Sequence, residues 1–206
     1  MVRRTKAEAL ATRGRILDAA EHLFHDKGVS RTSLEDIARE AGVTRGAIYW
    51  HFPDKATLFN EMMQRVLLPL EEASSHAGQA ACGSPLAGVR AYLLGVLREL
   101  AHSEHAQRVF NIATHKVEYV GELLALRERH AESRRNFLRL LQRGLRAAQQ
   151  AGEMPPAPSA RIVALGLEAL LSGLIHSWML DERSFDLLTA GRHAIDAHLA
   201  GIAHRG

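Results

Sequence analysis

Residues 32–59 read TSLEDIAREAGVTRGAIYWHFPDKATLF, and this stretch decides the fold of the N-terminal part of the chain. Thr32 is predicted to cap a first short helix, with Glu35 three residues later completing a capping box. Apolar residues then recur at the spacing of one helix face: Leu34, Ile37, Ala38 and Ala41. This pattern predicts a short amphipathic helix.

A glycine turn and a second short helix follow directly. Gly42 can adopt the left-handed backbone conformation that commonly ends a helix. Thr44 is predicted to cap the next helix, which runs through Ile48 to His51. Two short helices around such a turn form a helix-turn-helix, whose second helix enters the major groove of DNA.

The exposed positions of this second helix have the chemistry that DNA binding requires. Arg45 can donate two hydrogen bonds to guanine, while small Gly46 lets the backbone approach and the Ala47 methyl can touch a thymine methyl. Donors that can reach phosphate oxygens are supplied by the remaining polar residues: Thr44, Tyr49, His51 and Lys55. The alternative is a generic two-helix corner with a solvated face.

The stretch AGVTRGAIYWHFPDKATLF (residues 41–59) resembles the DNA-binding signature of the TetR family of bacterial repressors. With the opening VRRTKAEA, the segment TRGAIYWHF is similar to the AcrR-type repressors of multidrug efflux operons. The resemblance implies DNA-contacting roles for Thr32, Arg45, Gly46, Ala47, Tyr49, His51 and Lys55. Trp50 and Phe52 are predicted to pack inside the domain, and base stacking by Trp50 is the alternative.

The composition fits an all-α protein. Of 206 residues, 47% are hydrophobic, 24% charged and only 5% aromatic, and the abundance of Ala, Leu, Arg and Glu favours helices. We expect an N-terminal arm and three-helix helix-turn-helix domain over residues 1–53, and a larger helical domain for ligand binding and dimerisation over 54–206. The sequence contains no run of about 18 apolar residues, so no membrane span is predicted. A single cysteine, Cys82, fits a reducing cytoplasm.

The N-terminal arm is basic. Residues 1–15 have a net charge of +4, from Arg3, Arg4, Lys6, Arg13 and Arg15 against Glu8. We expect this arm to contact phosphates or the minor groove, with an affinity that falls as salt rises. The alternative is a disordered tail that only improves solubility.

The fourth helix is predicted to contain Pro69, which removes one backbone hydrogen bond and produces a kink near Val66. A kinked connection can transmit a conformational change from a ligand site to the reading helices, which are the DNA-binding second helices of the two helix-turn-helix units in a dimer. Alternatively, Pro69 simply bends the helix around the core.

The segment ARIVALGLEALLSGLIHSWML (residues 160–180) is too apolar to be a surface helix and must be covered on several sides. The family resemblance implies that the last two helices pair with their copies in a four-helix dimer interface. Two reading helices then bind two half-sites about 34 Å apart. We therefore expect a homodimer on an inverted-repeat DNA operator.

Three polar residues interrupt this apolar helix at a spacing of four, namely Glu168, Ser172 and His176. We predict that they line a pocket for a lipophilic or cationic effector. The candidate apolar walls are Val66, Tyr92, Leu93, Val96, Phe110, Thr114 and Phe137. The alternatives for Glu168 are a structural salt bridge, to Arg134 or across the dimer, and a solvent-facing edge.

Other chemistry lacks a matching pattern. The twelve histidines do not have zinc-ligand spacing, and no nucleotide-binding loop or nucleophile elbow occurs. We therefore predict no metal, no cofactor and no enzymatic activity. The sequence favours a dimeric repressor, released from its operator by a small molecule, that controls a multidrug efflux operon. A regulator of a metabolic operon, a metal sensor and a ligand-independent DNA-binding protein are the alternatives.

Overall fold

A computed structural model describes residues 6–66, 83–118, 124–181 and 184–203. These residues form α-helices that are joined by turns. The all-α prediction is therefore confirmed. The helices are α1 (Lys6–Lys27), α2 (Leu34–Glu40), α3 (Arg45–His51), α4 (residues 55–66), α5 (Pro85–His102), α6 (Glu104–His115), α7 (Leu124–Gln150), α8 (Ala160–Leu180) and α9 (Leu187–Ala203).

The chain divides into two compact units, of which the first contains residues up to 67 and residues 108–130, and the second residues 68–107 and 131–206. The domain boundary predicted between residues 53 and 54 stays a prediction. Among the described residues α7 begins at Leu124, and residues 116–118 are not helical. The predicted kink at Pro69 and Cys82 lie outside the described residues.

The first unit is built on one apolar core, to which α1, α2, α3 and α4 all contribute. Its largest side chains are fully buried: Ile16, Phe24, Ile37, Ile48, Phe52, Leu58 and Met62. The helical periodicity read from the sequence accounts for this, because residues three and four apart share one helix face. An additional contact comes from Arg13, whose guanidinium lies 5.0 Å from the ring centre of Phe52.

The cap of α2 is Ser33 rather than Thr32. The Ser33 hydroxyl accepts a hydrogen bond from the Asp36 N–H (3.1 Å), and the Asp36 carboxylate accepts one from the Ser33 N–H (3.2 Å). Hydrogen bonds from the Ser33 hydroxyl and then its backbone hold the pKa of Asp36 below its usual value. The capping box predicted for Thr32 and Glu35 is thus wrong by one position, because the Thr32 side chain turns into the core instead.

The turn between α2 and α3 follows the prediction. Gly42 has φ 64°, the left-handed conformation that glycine adopts without steric cost. Its N–H donates to the Arg39 carbonyl (3.2 Å), and the Val43 N–H donates to the Ala38 carbonyl (2.9 Å). This pair of bonds is the Schellman motif, which satisfies carbonyls at a helix C-terminus. The turn therefore sets the direction in which α3 leaves α2.

The two aromatic residues at the end of α3 lie in different environments. Phe52 is fully buried, as predicted, whereas 74% of the Trp50 surface is exposed. The prediction that Trp50 packs inside is wrong. Side chains two positions apart are separated by about 200° around a helix axis, so they cannot both point inward. The exposed Trp50 ring lies edge-on to His51, with ring centres 4.5 Å apart.

In the second unit, two bidentate ion pairs join helices that are distant in sequence. Arg90 of α5 donates to both carboxylate oxygens of Asp196 on α9 (2.6 and 2.8 Å), and the Arg90 side chain holds the pKa of Asp196 below its usual value. Arg134 of α7 donates in the same way to Glu168 on α8 (2.9 and 2.8 Å). Such fork-like pairs fix orientation as well as distance.

α8 leaves part of its apolar surface uncovered. Contrary to the sequence prediction, this helix is long and apolar enough to cross a membrane by length and composition alone, and 39% of its most apolar window is buried. A helix covered by protein passes the same test, and α8 packs on α9. Its exposed apolar residues are Ile162 (61%), Leu165 (38%) and Leu180 (68%).

The different positions of Phe52 and Trp50 can be tested by matched truncations. We expect Phe52→Ala to lower the free energy of unfolding of the first unit by about 3–5 kcal/mol, since it opens a cavity in a close-packed core. Trp50→Ala should change it by less than about 0.5 kcal/mol, as is usual for an exposed position. Urea titration followed by circular dichroism measures both; similar losses for the two variants would contradict the assigned burial.

Candidate DNA interface and ligand groove

α3 has one exposed face that is free to meet DNA. Arg45, Gly46, Tyr49 and Trp50 are exposed, whereas Ile48 on the opposite face is fully buried. Positions i, i+1, i+4 and i+5 lie within about 140° of one another around a helix. The face therefore combines a guanidinium, a backbone without a side chain and two aromatic rings with polar groups. The exposure of Trp50 fits the alternative named above, base stacking, and its DNA contact stays a prediction.

The remaining predicted contacts of α3 flank this face. The Thr44 hydroxyl oxygen accepts a hydrogen bond from the Ala47 N–H (3.2 Å), so Thr44 is the cap, as predicted. That bond uses the oxygen as acceptor and leaves the O–H as a donor. Ala47 and His51 are half-buried. Their predicted DNA contacts stay predictions.

Thr32 and Lys55 lie inside the first unit. Thr32 is fully buried, and its hydroxyl donates to the Gly28 carbonyl at 2.8 Å. The prediction that Thr32 contacts DNA is wrong in this conformation, because no part of the residue reaches the surface. Lys55 is only 6% exposed, and its ammonium donates to the Thr32 carbonyl at 3.0 Å. Lys55 therefore links the start of α4 to the segment before α2, and its predicted phosphate contact stays a prediction.

Glu35 of α2 connects to the exposed face of α3. Its Oε1 accepts a hydrogen bond from the Tyr49 hydroxyl (3.2 Å) and lies 3.2 Å from Nε of Arg45. The guanidinium carbon of Arg45 is 5.7 Å from the centre of the Tyr49 ring. The spacing of four residues places Arg45 and Tyr49 on one helix face, but the contribution of Glu35 depends on how α2 crosses α3.

The basic N-terminal arm is partly used within the fold. Arg13 forms an ion pair with Glu61 of α4, in addition to its contact with Phe52. Arg13 is therefore engaged inside the first unit instead of being available to phosphates. Arg3 and Arg4 lie outside the described residues. The proposed DNA contact of the arm stays a prediction.

A groove of about 400 Å³ lies between α5 and α7 in the second unit. It is lined by Gly83, Ser84, Pro85, Gly88, Val89, Tyr92, Leu140, Leu141, Arg143 and Gly144. The two helices approach closely where a Cβ on Gly144 would lie 2.5 Å from Cγ2 of Val89. At one end Glu153 closes the N-terminus of α5, accepting from the Leu86 N–H (2.7 Å) and the Ser84 hydroxyl (3.1 Å).

The predicted ligand-binding residues are distributed over both units. Val66, Phe110 and Thr114 belong to the first unit, and Tyr92, Leu93, Val96, Phe137, Glu168, Ser172 and His176 to the second. Tyr92 lines the groove and packs on Phe137, with ring centres 5.6 Å apart. Leu93 and Val96 are buried, whereas Thr114 is exposed. Sequence reasoning did not identify the residues that α7 contributes to the groove.

The polar stripe predicted on α8 does not form a buried wall. Glu168 is buried but neutralised by Arg134, the alternative left open by the sequence, and the Ser172 hydroxyl donates to it at 3.3 Å. Ser172 and His176 are exposed. The pocket predicted for these three residues stays a prediction, and the salt bridge of Glu168 to Arg134 is the alternative that the described chain contains.

Within the described segments, no set of three or more His, Cys, Asp or Glu side chains could hold a metal ion. The Glu168 carboxylate raises the pKa of Arg134 by hydrogen bonding, and burial lowers the pKa of His130 in the first unit.

Comparison with known proteins identifies both parts of the chain. Residues 16–62 match the family described as bacterial regulatory proteins, tetR family. Residues 84–203 match the family described as MAATS-type transcriptional repressor, C-terminal region. The second match covers more than half of the chain, so the resemblance read from the N-terminal motif extends to the helical domain, for which the sequence offered no motif.

Full-length relatives agree with these matches. The HTH-type transcriptional repressor BepR of Brucella suis is 39% identical over 201 residues, covering 98% of this chain and 96% of BepR. The crystal structure of NalD, the secondary repressor of the MexAB-OprM multidrug efflux pump in Pseudomonas aeruginosa, has a TM-score of 0.86 and 36% identity, with 98% and 100% coverage.

A structure of SmeT in complex with triclosan is also similar, with a TM-score of 0.85 and 33% identity over 95% of this chain and 93% of that one. SmeT is the repressor of the Stenotrophomonas maltophilia multidrug efflux pump SmeDEF. These relatives are DNA-binding regulators, which confirms the prediction that the chain is not an enzyme. The chain belongs to the TetR family of transcriptional repressors and is related to the repressors of multidrug efflux pumps.

Proposed function

We propose that the chain acts in the cytoplasm as a homodimer that represses a multidrug efflux operon and leaves its operator when a lipophilic small molecule binds. The observation that carries this proposal is the exposed face of α3, on which Arg45, Gly46, Tyr49 and Trp50 stand opposite the buried Ile48. Relatives that repress efflux pumps match the chain over nearly its full length. The face supplies DNA recognition, and the relatives point to the type of operon.

Arg45 is proposed to read a guanine in the major groove, since it is 75% exposed on the face of α3 and can pair with the O6 and N7 atoms. Thr44 and Tyr49 are proposed to contact phosphates on either side. Gly46 has no atom within 4 Å of the position a Cβ would take, so that close approach of the backbone to bases is sterically open.

The Arg45 assignment is tested by comparing binding to a matching and a random duplex. The matching duplex is one that the protein selects from a random pool. Arg45→Ala should lower the preference for it by about tenfold or more, in line with roughly 1–3 kcal/mol per bidentate base contact. Arg39→Ala is the control, because Arg39 is 80% exposed on α2; it should weaken both duplexes alike. An unchanged preference in Arg45→Ala would remove the base-reading role.

The dimer is proposed to form through α8 and α9. Ile162, Leu165 and Leu180 leave an apolar strip exposed on α8, and a second copy of the same helix supplies a complementary surface by two-fold symmetry. Burial of Ile162 and Leu180 at such an interface removes apolar area from water, which is the main driving force for association.

Ile162→Arg should convert the dimer to a monomer without unfolding the chain, since Ile162 is 61% exposed and its replacement disturbs only the face that a partner covers. Sedimentation velocity at micromolar concentration measures the change. Leu10→Arg is the matched control, as Leu10 of α1 is equally exposed at 61%. A dimer that persists in Ile162→Arg would place the interface elsewhere.

The effector is proposed to bind in the groove between α5 and α7. Its walls include Val89, Tyr92 and Leu141, with Arg143 as the charged group. This chemistry suits a lipophilic compound with an aromatic ring and a hydroxyl, and triclosan, which is bound to the related SmeT, is a suitable probe. The charged group of this groove is the cationic Arg143, which repels a cationic effector, so neutral or phenolic compounds are favoured.

Release of DNA by triclosan tests the ligand part of the proposal. We expect triclosan to lower the fluorescence anisotropy of a labelled matching duplex bound to the wild-type protein. Leu140→Trp should raise the triclosan concentration needed by about tenfold, because the indole fills the groove, a penalty of roughly 1.4 kcal/mol. Arg139→Trp, one residue away and outside the groove, should not. Equal responses of the two variants would exclude this groove as the binding site.

A further inference from the structure

Glu35 is an acidic side chain on the surface that is proposed to face DNA. Its predicted role in helix capping belongs to Asp36, so that its carboxylate serves another purpose. It is 39% exposed, and it touches two residues of α3 through a single oxygen, accepting from the Tyr49 hydroxyl and pairing with Nε of Arg45. The guanidinium, the phenol and the carboxylate thus form one exposed cluster.

A carboxylate at this position opposes DNA binding. Duplex DNA carries about one negative charge per 1.7 Å of its axis, and a like charge close to it reduces the affinity for every sequence. An exposed ion pair adds little stability to the fold, so folding alone gives no reason for it. What the carboxylate does control is the availability of Arg45 and Tyr49.

The ion pair is made through Nε of Arg45. A guanine is bound by two parallel N–H groups of a guanidinium, and the two terminal Nη nitrogens can supply them without breaking the contact at Nε. A phosphate contact by Tyr49 differs from this guanine contact by Arg45, because Tyr49 donates its only hydroxyl hydrogen to Glu35. To give that hydrogen to a phosphate, Tyr49 must leave Glu35.

We propose that Glu35 is a specificity-determining residue of the DNA-reading surface. On a matching operator, Arg45 binds guanine while Glu35 continues to hold Nε. Tyr49 leaves Glu35 for a phosphate on either duplex and does not distinguish them. On a non-matching duplex, however, Arg45 gains contacts only by turning to phosphates, which leaves the Glu35 carboxylate beside the DNA backbone without its arginine. Glu35 therefore weakens non-specific binding more than specific binding. This inference rests on the proposed guanine contact of Arg45.

The test measures the affinity for the matching and the random duplex at fixed salt by competition anisotropy. We expect Glu35→Gln to bind the random duplex about threefold more tightly or better, the size of one exposed ion pair, with less than a twofold change on the matching duplex. Glu40→Gln removes the same charge from an exposed site at the end of α2. It should change both affinities by the same factor.

Three further outcomes separate the two proposals. Equal effects of Glu35→Gln and Glu40→Gln on both duplexes, with Arg45→Ala still losing preference, overturn the role of Glu35 alone. An unchanged preference in Arg45→Ala overturns the guanine contact and this inference with it. In the Arg45→Ala background, Glu35→Gln should no longer alter the preference; if it still does, Glu35 does not act through Arg45.

Discussion

The exposed face of α3, proposed to bind DNA, depends on the burial of Ile48 and Phe52 in the core of the first unit. α3 has seven residues, far fewer than the roughly 12–15 that an isolated helix needs to persist in water. Its conformation and its orientation therefore come from packing and from its ends. Ile48 determines which side of α3 faces the core. Phe52, fully buried just after the helix, determines how deeply the end of α3 packs into the core. Arg45 and Tyr49 are exposed as a consequence.

The sequence predicted what short-range geometry controls. The left-handed Gly42, the cap at Thr44 and the apolar periodicity of α2 all follow from neighbouring residues. It failed where two adjacent candidates competed, as with Thr32 and Ser33. Either hydroxyl can cap a helix, and the choice depends on whether Thr32 reaches the Gly28 carbonyl inside the core. Lys55 likewise donates to a carbonyl 23 residues earlier in the chain, a contact that no local pattern indicates; its predicted phosphate contact stays a prediction.

In the second unit the helices were predictable but their pairing was not. The sequence named the Arg134–Glu168 pair, 34 residues apart, only as one of several alternatives for Glu168. It did not indicate the Arg90–Asp196 pair, 106 residues apart, because no local pattern distinguishes such distant partners from other charges. A stripe of polar residues on α8 suggested a ligand wall, yet its buried member is held by an arginine of α7. The groove itself arises where Gly144 lets α5 and α7 approach, which requires knowledge of both helices.

The exposed face of α3 is small, and this connects DNA recognition to the proposed dimer interface on the exposed apolar residues of α8. Four exposed residues on α3 can make one or two base contacts, each worth roughly 1–3 kcal/mol. DNA-binding proteins prefer their specific sites over non-specific DNA by about 4–10 kcal/mol, and one such helix does not supply the upper part of this range. Two copies on one operator double the discrimination, but only at a fixed separation. In the proposed dimer, a ligand that disturbs this separation removes part of that gain, with a coupling free energy of about 1–3 kcal/mol.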